Sequence, residues 1–471
     1  MTITNPTSEG RPRHPTAAEP QIIQGGMGVA VSGWKLARAV SVTGQLGVVS
    51  GTALELVCAR RLQSGDAGGH MRRALAAFPV PEVAEWILEA YYVPGGIAPG
   101  VLFRPVPRHT IESSLRLLEL TVAANFVEVF LAKEGHDGLV GVNYLRKIEL
   151  PLPAALYGAV LAGVDAVLVG AGSPSEIPEL TRRLARHEDV TLDIRVQGAR
   201  SDDGLGSMGF SPRQVVPLAL APIEVPRVIG IVASADLAAG LAGTPVTRPD
   251  GFVVEGPRAG GHNAPPRGPR RVDEIGQPVY DERDEVEVSK ILALGLPVWL
   301  AGSYGTPQGL RDALALGAAG VQVGTAFAYS DESGFDEGIK ERVRREVSSG
   351  ELRVRADWRV SPTGFPFQVA DLPGTLSDPA VVSARKPVCD LGVLRSAYVK
   401  PDGAVDYRCP AEPEAQYRRK GGREANKKGR VCLCNALLAS AGLPQRRPNG
   451  DVEAPLVTSG GDLRPVAALV A

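Results

Sequence analysis

Residues 251–262, GFVVEGPRAGGH, run from a short apolar stretch into small residues and end on a histidine. The first part, residues 251–256, does not alternate between polar and apolar side chains, which is typical of a parallel β-strand covered on both faces. The glycines that follow carry no Cβ, so the backbone can approach a ligand closely. We therefore expect a buried strand that presents His262, one of six histidines in the chain, at its carboxyl end.

Similar apolar stretches recur through the first 330 residues, and stretches of helical composition follow them. After the seventh stretch, Thr306 and Pro307 suit the N-cap and the first residue of a helix. Strands that alternate with helices about eight times favour a closed parallel barrel over an open sheet. The predicted fold is α/β, a (β/α)8 TIM barrel with long insertions and a cysteine-bearing C-terminal extension. The predicted strands cover residues 21–27, 46–51, 138–145, 166–172, 227–234, 251–256, 297–303 and 320–327.

The same pattern predicts where the chain departs from the barrel. Residues 1–20 combine Pro, Ser and charged residues without an apolar segment, which indicates a flexible N-terminal tail. Beyond residue 335 the alternation of strands and helices stops. The predicted divisions are the tail at 1–20, the barrel at 21–333 with insertions at 52–137 and 188–226, a Pro/Gly- and Cys-containing extension packed on the barrel at 334–445, and a polar tail at 446–471.

Composition excludes several classes of function. The net charge is −1, from 51 basic and 52 acidic residues, so the chain lacks the basic excess of a nucleic-acid-binding protein. A basic run at residues 418–430 is interpreted as a solvated loop. No apolar run reaches the length of a membrane span, and the first residues lack the apolar segment of a secretory signal. We expect a cytoplasmic protein with reduced thiols.

Glycine-rich sequences end four of the predicted strands. They are IIQGGMG, AGGH, LAGS and VGTAF, which begin at residues 22, 259, 300 and 323. In parallel barrels the reactive face is the rim where strands end, and phosphate groups commonly bind the loops after strands seven and eight. The set therefore indicates a phosphorylated cofactor, and the alternative is that these glycines only form tight turns.

The chain resembles the nitronate monooxygenase family in three longer stretches that contain these glycine-rich sequences, residues 22–51, 253–262 and 298–333. The flavin-dependent enoyl-acyl-carrier-protein reductases are close relatives of that family. The resemblance covers roughly residues 20 to 333, with the two insertions excepted, and rests on the order and spacing of the motifs. It implies a TIM barrel that binds FMN, which agrees with the strand pattern.

The resemblance also implies roles for individual residues. His262 matches the family's catalytic histidine, and an imidazole can take up and release a proton near neutral pH. Residues 301–303 and 324–325 match the two phosphate loops. The complete set that matches flavin-binding positions is Gln24, Gly25, Gly26, Met27, Asn143, Gly261, Ala301, Gly302, Ser303, Gly324 and Thr325.

The implied activity is the oxidative denitrification of nitroalkanes or alkyl nitronates with O2, with FMN as cofactor and His262 as base. A first alternative is an enoyl-thioester reductase of fatty-acid or polyketide synthesis, which uses FMN with NAD(P)H as co-substrate and has an acyl-carrier or synthase partner. A second alternative is a flavoprotein whose C-terminal extension mainly binds a partner protein. Each of these three hypotheses involves a small-molecule substrate or a protein partner. None of them involves nucleic acid or a membrane.

Two departures from the family pattern concern the loop after His262 and the first predicted phosphate loop. Residues 263–266, Asn-Ala-Pro-Pro, separate His262 from the Arg-Gly pair that often follows it, and Ser303 replaces a usual glycine. The prolines stiffen the loop, and the serine hydroxyl can still donate to a phosphate. Glu255, at a strand end, either orients His262 or the ribityl chain of the flavin, or is an ordinary turn carboxylate.

Four cysteines, Cys389, Cys409, Cys432 and Cys434, lie close together in the predicted extension, and Cys58 stands apart. Four thiolates can form a tetrahedral site for Zn or ligate an Fe–S cluster. Their long spacings and the single residue inside CLC are unlike those of zinc ribbons. Buried, unreactive cysteines are therefore the alternative to a metal site.

Overall fold

The structure, a computed structural model, describes residues 19–200 and 203–469 of the 471-residue chain. Most of the N-terminal tail predicted at residues 1–20 lies outside these ranges. None of the helices in the described part combines the length and apolar character needed to cross a membrane.

Eight parallel strands within the described residues form the central sheet. They are β1 (Ile22–Gln24), β2 (Gly47–Ser50), β3 (Val140–Leu145), β4 (Ala166–Gly170), β5 (Arg227–Val232), β6 (Gly251–Glu255), β7 (Val298–Ala301) and β8 (Gly320–Val323). The order of neighbours is β1-β8-β7-β6-β5-β4-β3-β2. β1 and β2 then meet through the pair Ile23 and Leu46, with the Gln24 amide donating to the Leu46 carbonyl at 2.9 Å. The sheet is closed, and the predicted (β/α)8 barrel is confirmed.

Each barrel strand is followed by at least one helix. The helices are Trp34–Ser41 after β1; Leu54–Gln63, His70–Ala76, Pro81–Tyr91 and Leu115–Lys133 after β2; Leu152–Leu161 after β3; Ile177–Ala185 and Pro212–Val215 after β4; Ala235–Ala242 after β5; Val288–Leu292 after β6; Pro307–Ala315 after β7; Thr325–Ala328 and Glu337–Ser348 after β8. Short 3-10 helices cover Ala67–Gly69, Glu282–Asp284 and Glu424–Asn426.

The helix after β7 begins as its sequence predicts. Thr306 is the N-cap, and its hydroxyl accepts a hydrogen bond from the Gly309 amide at 3.0 Å. Pro307 occupies the first turn, where its missing N–H leaves no hydrogen bond unmade. This N-terminus follows the β7 loop directly, so the loop is held at both ends by regular structure.

The two predicted insertions are folded parts of the domain. The first contains the 19-residue helix Leu115–Lys133, which packs against Leu152–Leu161 and serves as the crossover from β2 to β3. The second contains an antiparallel hairpin, Val190–Asp193 with Ser207–Phe210, and a two-residue strand, Val196–Gln197. The alternation of apolar and polar residues at 190–198 predicts an added strand or hairpin, and the structure has the hairpin.

The C-terminal extension forms small sheets and helices on the barrel. Its strands are Val354–Asp357, Phe367–Ala370, Ser396–Val399 and Val405–Arg408, and its helices are Pro379–Ala384, Glu414–Arg419, Leu433–Ser440 and Arg464–Ala467. Ser396–Val399 also pairs with the strand Val196–Gln197, which joins the extension to the second insertion. Buried Arg60 donates to the Leu443 carbonyl at 2.6 Å, which ties the extension to the first insertion.

The final segment differs from the polar tail predicted at residues 446–471. Leu456, Val457 and Val466 are fully buried. The Ala370 amide donates to the Val457 carbonyl at 3.0 Å, so the segment lies beside the strand Phe367–Ala370. The segment is polar overall, but its few apolar residues are buried, and their packing is sufficient to hold the segment against the barrel.

Candidate active site

The side chain of Gln24, the last residue of β1, lies inside the barrel and holds the loop that follows β1 in place. This side chain is fully buried, accepts a hydrogen bond from the Val48 amide at 2.9 Å and donates to the Ser32 hydroxyl at 2.9 Å. Ser32 in turn accepts from the Met27 amide at 2.9 Å. Because buried polar groups must find partners, Gln24 holds the loop in one conformation.

The predicted flavin residues of three strands lie next to one another. A Cβ on Gly26 would lie 2.3 Å from the Cβ of Asn143, so only glycine fits where the β1 loop crosses the end of β3. The Gly25 amide donates to the Val323 carbonyl at 2.8 Å, and a Cβ on Gly324 would lie 3.4 Å from the Met27 sulfur. The loops after β1 and β8 are therefore in contact.

The predicted phosphate loop after β7 has an unusual backbone. Gly302 and Ser303, which follow Ala301, both have positive φ angles, +81° and +77°. A left-handed conformation is ordinary for glycine but strained for serine. A Cβ on Gly302 would lie 3.6 Å from the Gly256 amide nitrogen, so this loop rests on the loop after β6.

Three buried polar atoms at this end of the barrel lack hydrogen-bond partners within the described ranges: the Ser303 hydroxyl, the Gln322 side-chain oxygen and the Asn263 side-chain oxygen. Leaving a buried polar group unsatisfied costs about 1–3 kcal/mol. A phosphate oxygen accepts a hydroxyl hydrogen, so the phosphate of FMN would satisfy Ser303. The strained serine, its unpaired hydroxyl and the bare glycines fit a phosphorylated flavin held by main chain.

His262 lies at the same end, on the loop after β6. Gly261 before it has a φ of +78°, which favours glycine. The ring packs edge-on against Phe367 with centroids 4.8 Å apart, and its Nε2 lies 2.6 Å from the Ser361 hydroxyl. Burial, with a smaller effect from the cation of Lys147, holds the pKa of His262 well below its usual value. The imidazole is therefore neutral at neutral pH.

Lys147 is a functional candidate that the sequence analysis missed. It follows β3, in NYLRK, four residues after Asn143. Burial lowers the pKa of its ammonium group to about 7, and the charge of Glu255 opposes that shift. Its Nζ lies 5.2 Å from the centre of the Phe365 ring. The only sequence signal was a basic residue just past a barrel strand, which is too common to stand out.

Glu255, the last residue of β6, completes a group of three titratable side chains. Burial raises the pKa of its carboxyl group to about 7, and Lys147 partly counteracts the shift. Lys147 thus acts electrostatically on both Glu255 and His262. A cation, a carboxyl group and a neutral imidazole at one rim, two with pKa values near neutrality, can hold and move a proton.

The C-terminal extension supplies part of this site. Ser361, whose hydroxyl contacts His262, is fully buried, and it also lies 2.7 Å from the Thr363 hydroxyl. Arg430 donates to the carbonyls of Trp358 and Ser361 and fixes the loop that carries the serine. Arg430 is the last residue of the basic run that was predicted to be a solvated loop. In the structure its side chain instead holds the loop that carries Ser361.

The four cysteines of the extension lie in one place. Cys409, Cys432 and Cys434 are buried together with Ala411, and the partly buried Leu391, Val393 and Leu394 pack against them; Cys389 is partly buried. None of them forms a disulfide. Among the residues that the structure describes, no three His, Cys, Asp or Glu side chains are arranged to hold a metal ion. The predicted Zn or Fe–S site therefore has no support in this arrangement.

Comparisons with known proteins agree with the sequence resemblance. Residues 209–353 match the family model described as nitronate monooxygenase, a segment that contains His262 and both predicted phosphate loops. A search of curated proteins found no match.

Three solved structures illustrate the similarity. FabK from Thermotoga maritima is 20% identical, covers 76% of this chain and 72% of its own, and has a TM-score of 0.39. A nitroalkane oxidase from Streptomyces ansochromogenes is 16% identical, with coverages of 74% and 76% and a TM-score of 0.39. The enoyl reductase domain of MlnA, from the macrolactin biosynthesis cluster of Bacillus amyloliquefaciens, is 13% identical, with coverages of 76% and 64% and a TM-score of 0.38. These values are too low to transfer an activity.

Proposed function

We propose that the chain is a flavin-dependent oxidoreductase whose FMN binds at the carboxyl rim of the barrel, and the match of residues 209–353 to the nitronate monooxygenase family model supports this proposal. The unpaired Ser303 hydroxyl and the close approach of Gly26 to Asn143 support this position. The residues that would hold the cofactor are those predicted from the sequence at the ends of β1, β3, β6, β7 and β8. When bound, FMN supplies hydride or electron transfer.

We propose that the reaction is the reduction of an enoyl thioester by NAD(P)H. In the net reaction, the nicotinamide hydride and one proton add across the carbon–carbon double bond and leave a saturated thioester and NAD(P)+. The observation that carries this proposal is the position of Lys147 just after β3, at the rim that also carries Glu255 and His262. Burial there lowers the pKa of its ammonium group to about 7, which suits a group that donates a proton at neutral pH. The thioester would be presented by an acyl-carrier or synthase partner.

His262 has a complementary role in this proposal. Its low pKa makes the imidazole a weak base, which suits hydrogen bonding to the substrate better than abstraction of a carbon-bound proton. Ser361 and Phe367 fix the orientation of the ring from the side of the extension. The extension thus contributes to the chemistry, which favours the enzyme over a flavoprotein with a mainly partner-binding module.

Oxidative denitrification of an alkyl nitronate with O2 is the second candidate. The family match favours it, and the ammonium group of Lys147 is suited to pair with the nitronate anion. A nitronate is already deprotonated, so this reaction needs no strong base. Neutral nitroalkanes fit less well, because the low pKa of His262 disfavours proton abstraction.

Anaerobic reduction of the bound flavin distinguishes the two candidates. We expect NADH or NADPH to bleach the flavin absorbance within one turnover time, and an alkyl nitronate to bleach it more slowly by at least about tenfold. Re-oxidation of the reduced protein by a short enoyl thioester, without O2, then tests the second half of the reaction. Fast bleaching by the nitronate alone would reject the reductase and support nitronate oxidation.

A further inference from the structure

A short stretch near the C-terminus, residues 457–460 (the closing segment), lies against the predicted cofactor loops. Val457, Ser459 and Gly460 are buried, and Thr458 is partly buried. The segment lies about a hundred residues beyond the stretch that matches the family model, which ends at residue 353. Its contacts therefore lie outside the matched stretch.

The closing segment first contacts the loop that carries the histidine. The Gly261 amide donates to the Thr458 hydroxyl oxygen at 3.0 Å, and that hydroxyl donates to the Gln368 carbonyl at 2.7 Å. A Cβ on Gly260 would lie 3.1 Å from the Gly460 amide nitrogen. The backbone before His262 is thus held between the closing segment and the strand Phe367–Ala370.

The same segment contacts the second predicted phosphate loop. The Gly460 amide donates to the Thr325 hydroxyl oxygen at 2.9 Å, at the start of the helix after β8. The Tyr329 hydroxyl, one turn further on, donates to the Thr458 carbonyl at 3.2 Å. Beyond the segment, Pro465 approaches the β7 loop, where a Cβ on Gly305 would lie 3.0 Å from its ring.

We infer that the closing segment is a positioning element of the flavin site, because it fixes the loops after β6 and β8 relative to each other. This inference rests on the proposed binding of FMN at the barrel rim. Thr325, predicted to bind the phosphate, has its hydroxyl oxygen engaged by Gly460, so the segment sets where that residue lies. The segment thus gives a common support to two loops that must grip one ligand.

Substitutions of neighbouring glycines test this inference. A Cβ on Gly460 would lie 2.5 Å from the Thr325 hydroxyl oxygen and displace it, whereas a Cβ on Gly461 has nothing within 4 Å. Both glycines avoid the positive φ range, so neither substitution adds backbone strain. Gly460→Ala is therefore the test variant, and Gly461→Ala is its matched control.

The measurements are titration of the apoprotein with FMN, the visible circular dichroism of the bound flavin, and the Tm of the apoprotein. We expect Gly460→Ala to weaken FMN binding by about tenfold or more and to alter the flavin dichroism. Gly461→Ala should match the wild type in both. A second pair isolates the hydroxyl: Thr458→Val should weaken FMN binding, and Thr458→Ser should restore it.

The outcomes separate this inference from the proposed function. If the wild type binds FMN and both Gly460→Ala and Thr458→Val keep its affinity and flavin dichroism, the closing segment has no positioning role. If Gly460→Ala fails to fold, the Thr458→Val and Thr458→Ser pair decides. If the wild type itself does not bind FMN, the proposed function fails first.

Discussion

Replacing Lys147 with methionine is expected to lower the turnover of an enoyl thioester by about 100-fold, the scale of a general acid's contribution. Methionine has a similar length and polarisability but carries no proton to donate. FMN affinity should stay within about threefold of the wild type, because no predicted flavin-binding residue is changed. Steady-state kinetics with NADPH and a titration with FMN measure the two effects.

The pH dependence of the same variant gives a sharper test. The pKa of Lys147 is lowered to about 7, so its protonated fraction falls as the pH rises through neutrality. A step that takes a proton from this group must slow above about pH 7, and Lys147→Met should lose that limb of the profile. The nearby carboxyl group of Glu255 titrates in the same range, with a pKa raised to about 7, whereas burial holds the pKa of His262 well below its usual value.

Two further variants serve as controls for Lys147. Lys147→Arg keeps a positive charge that does not titrate near neutrality, so it should fail to restore turnover if a proton is transferred. Lys290→Met removes an exposed lysine that pairs with Glu287 and should behave as the wild type. Full turnover by Lys147→Met, or full rescue by Lys147→Arg, would contradict the assignment of Lys147 as the proton donor.

Removal of the imidazole is the second substitution with a large expected effect. We expect His262→Ala to retain FMN and to lose between about tenfold and 100-fold in kcat, because the substrate loses a group that orients it. Ser361→Ala keeps the imidazole but removes its partner at 2.6 Å. This variant should lose about tenfold or less, the scale of one hydrogen bond.

Comparison of these two variants separates orientation from proton transfer. If His262 only orients the substrate, both variants keep the limb of the pH profile that belongs to Lys147. If His262 instead abstracts the α-proton of a nitroalkane, His262→Ala abolishes turnover of the neutral nitroalkane and spares its nitronate. Full activity of His262→Ala with every substrate would contradict any role of His262 in the reaction.

The barrel and the glycine-rich loops at its rim were predictable from the sequence because both are local features. Each barrel strand is one short apolar run, and all eight lie within the predicted stretches. The glycines at the ends of β1, β6, β7 and β8 stand beside those runs in the sequence. Closure of the sheet then brings them to one rim, as it does in any parallel barrel.

The parts that the sequence analysis missed depend on contacts between distant residues. Ser361 reaches His262 across 99 positions of the chain. Thr458 reaches Gly261 across 197 positions, from a segment whose polar composition indicated a tail. Lys147 became a candidate only through burial next to Glu255 and His262, which no local pattern reports.

The most direct test of the account compares FMN with riboflavin, which lacks the phosphate, as ligands for the purified apoprotein. The account predicts one FMN per chain and an affinity for FMN about 100-fold higher than for riboflavin, or about 2.7 kcal/mol, because the loops after β7 and β8 bind the phosphate. Equal affinities would contradict the phosphate site. No binding of either flavin would contradict the proposal that this barrel rim holds FMN.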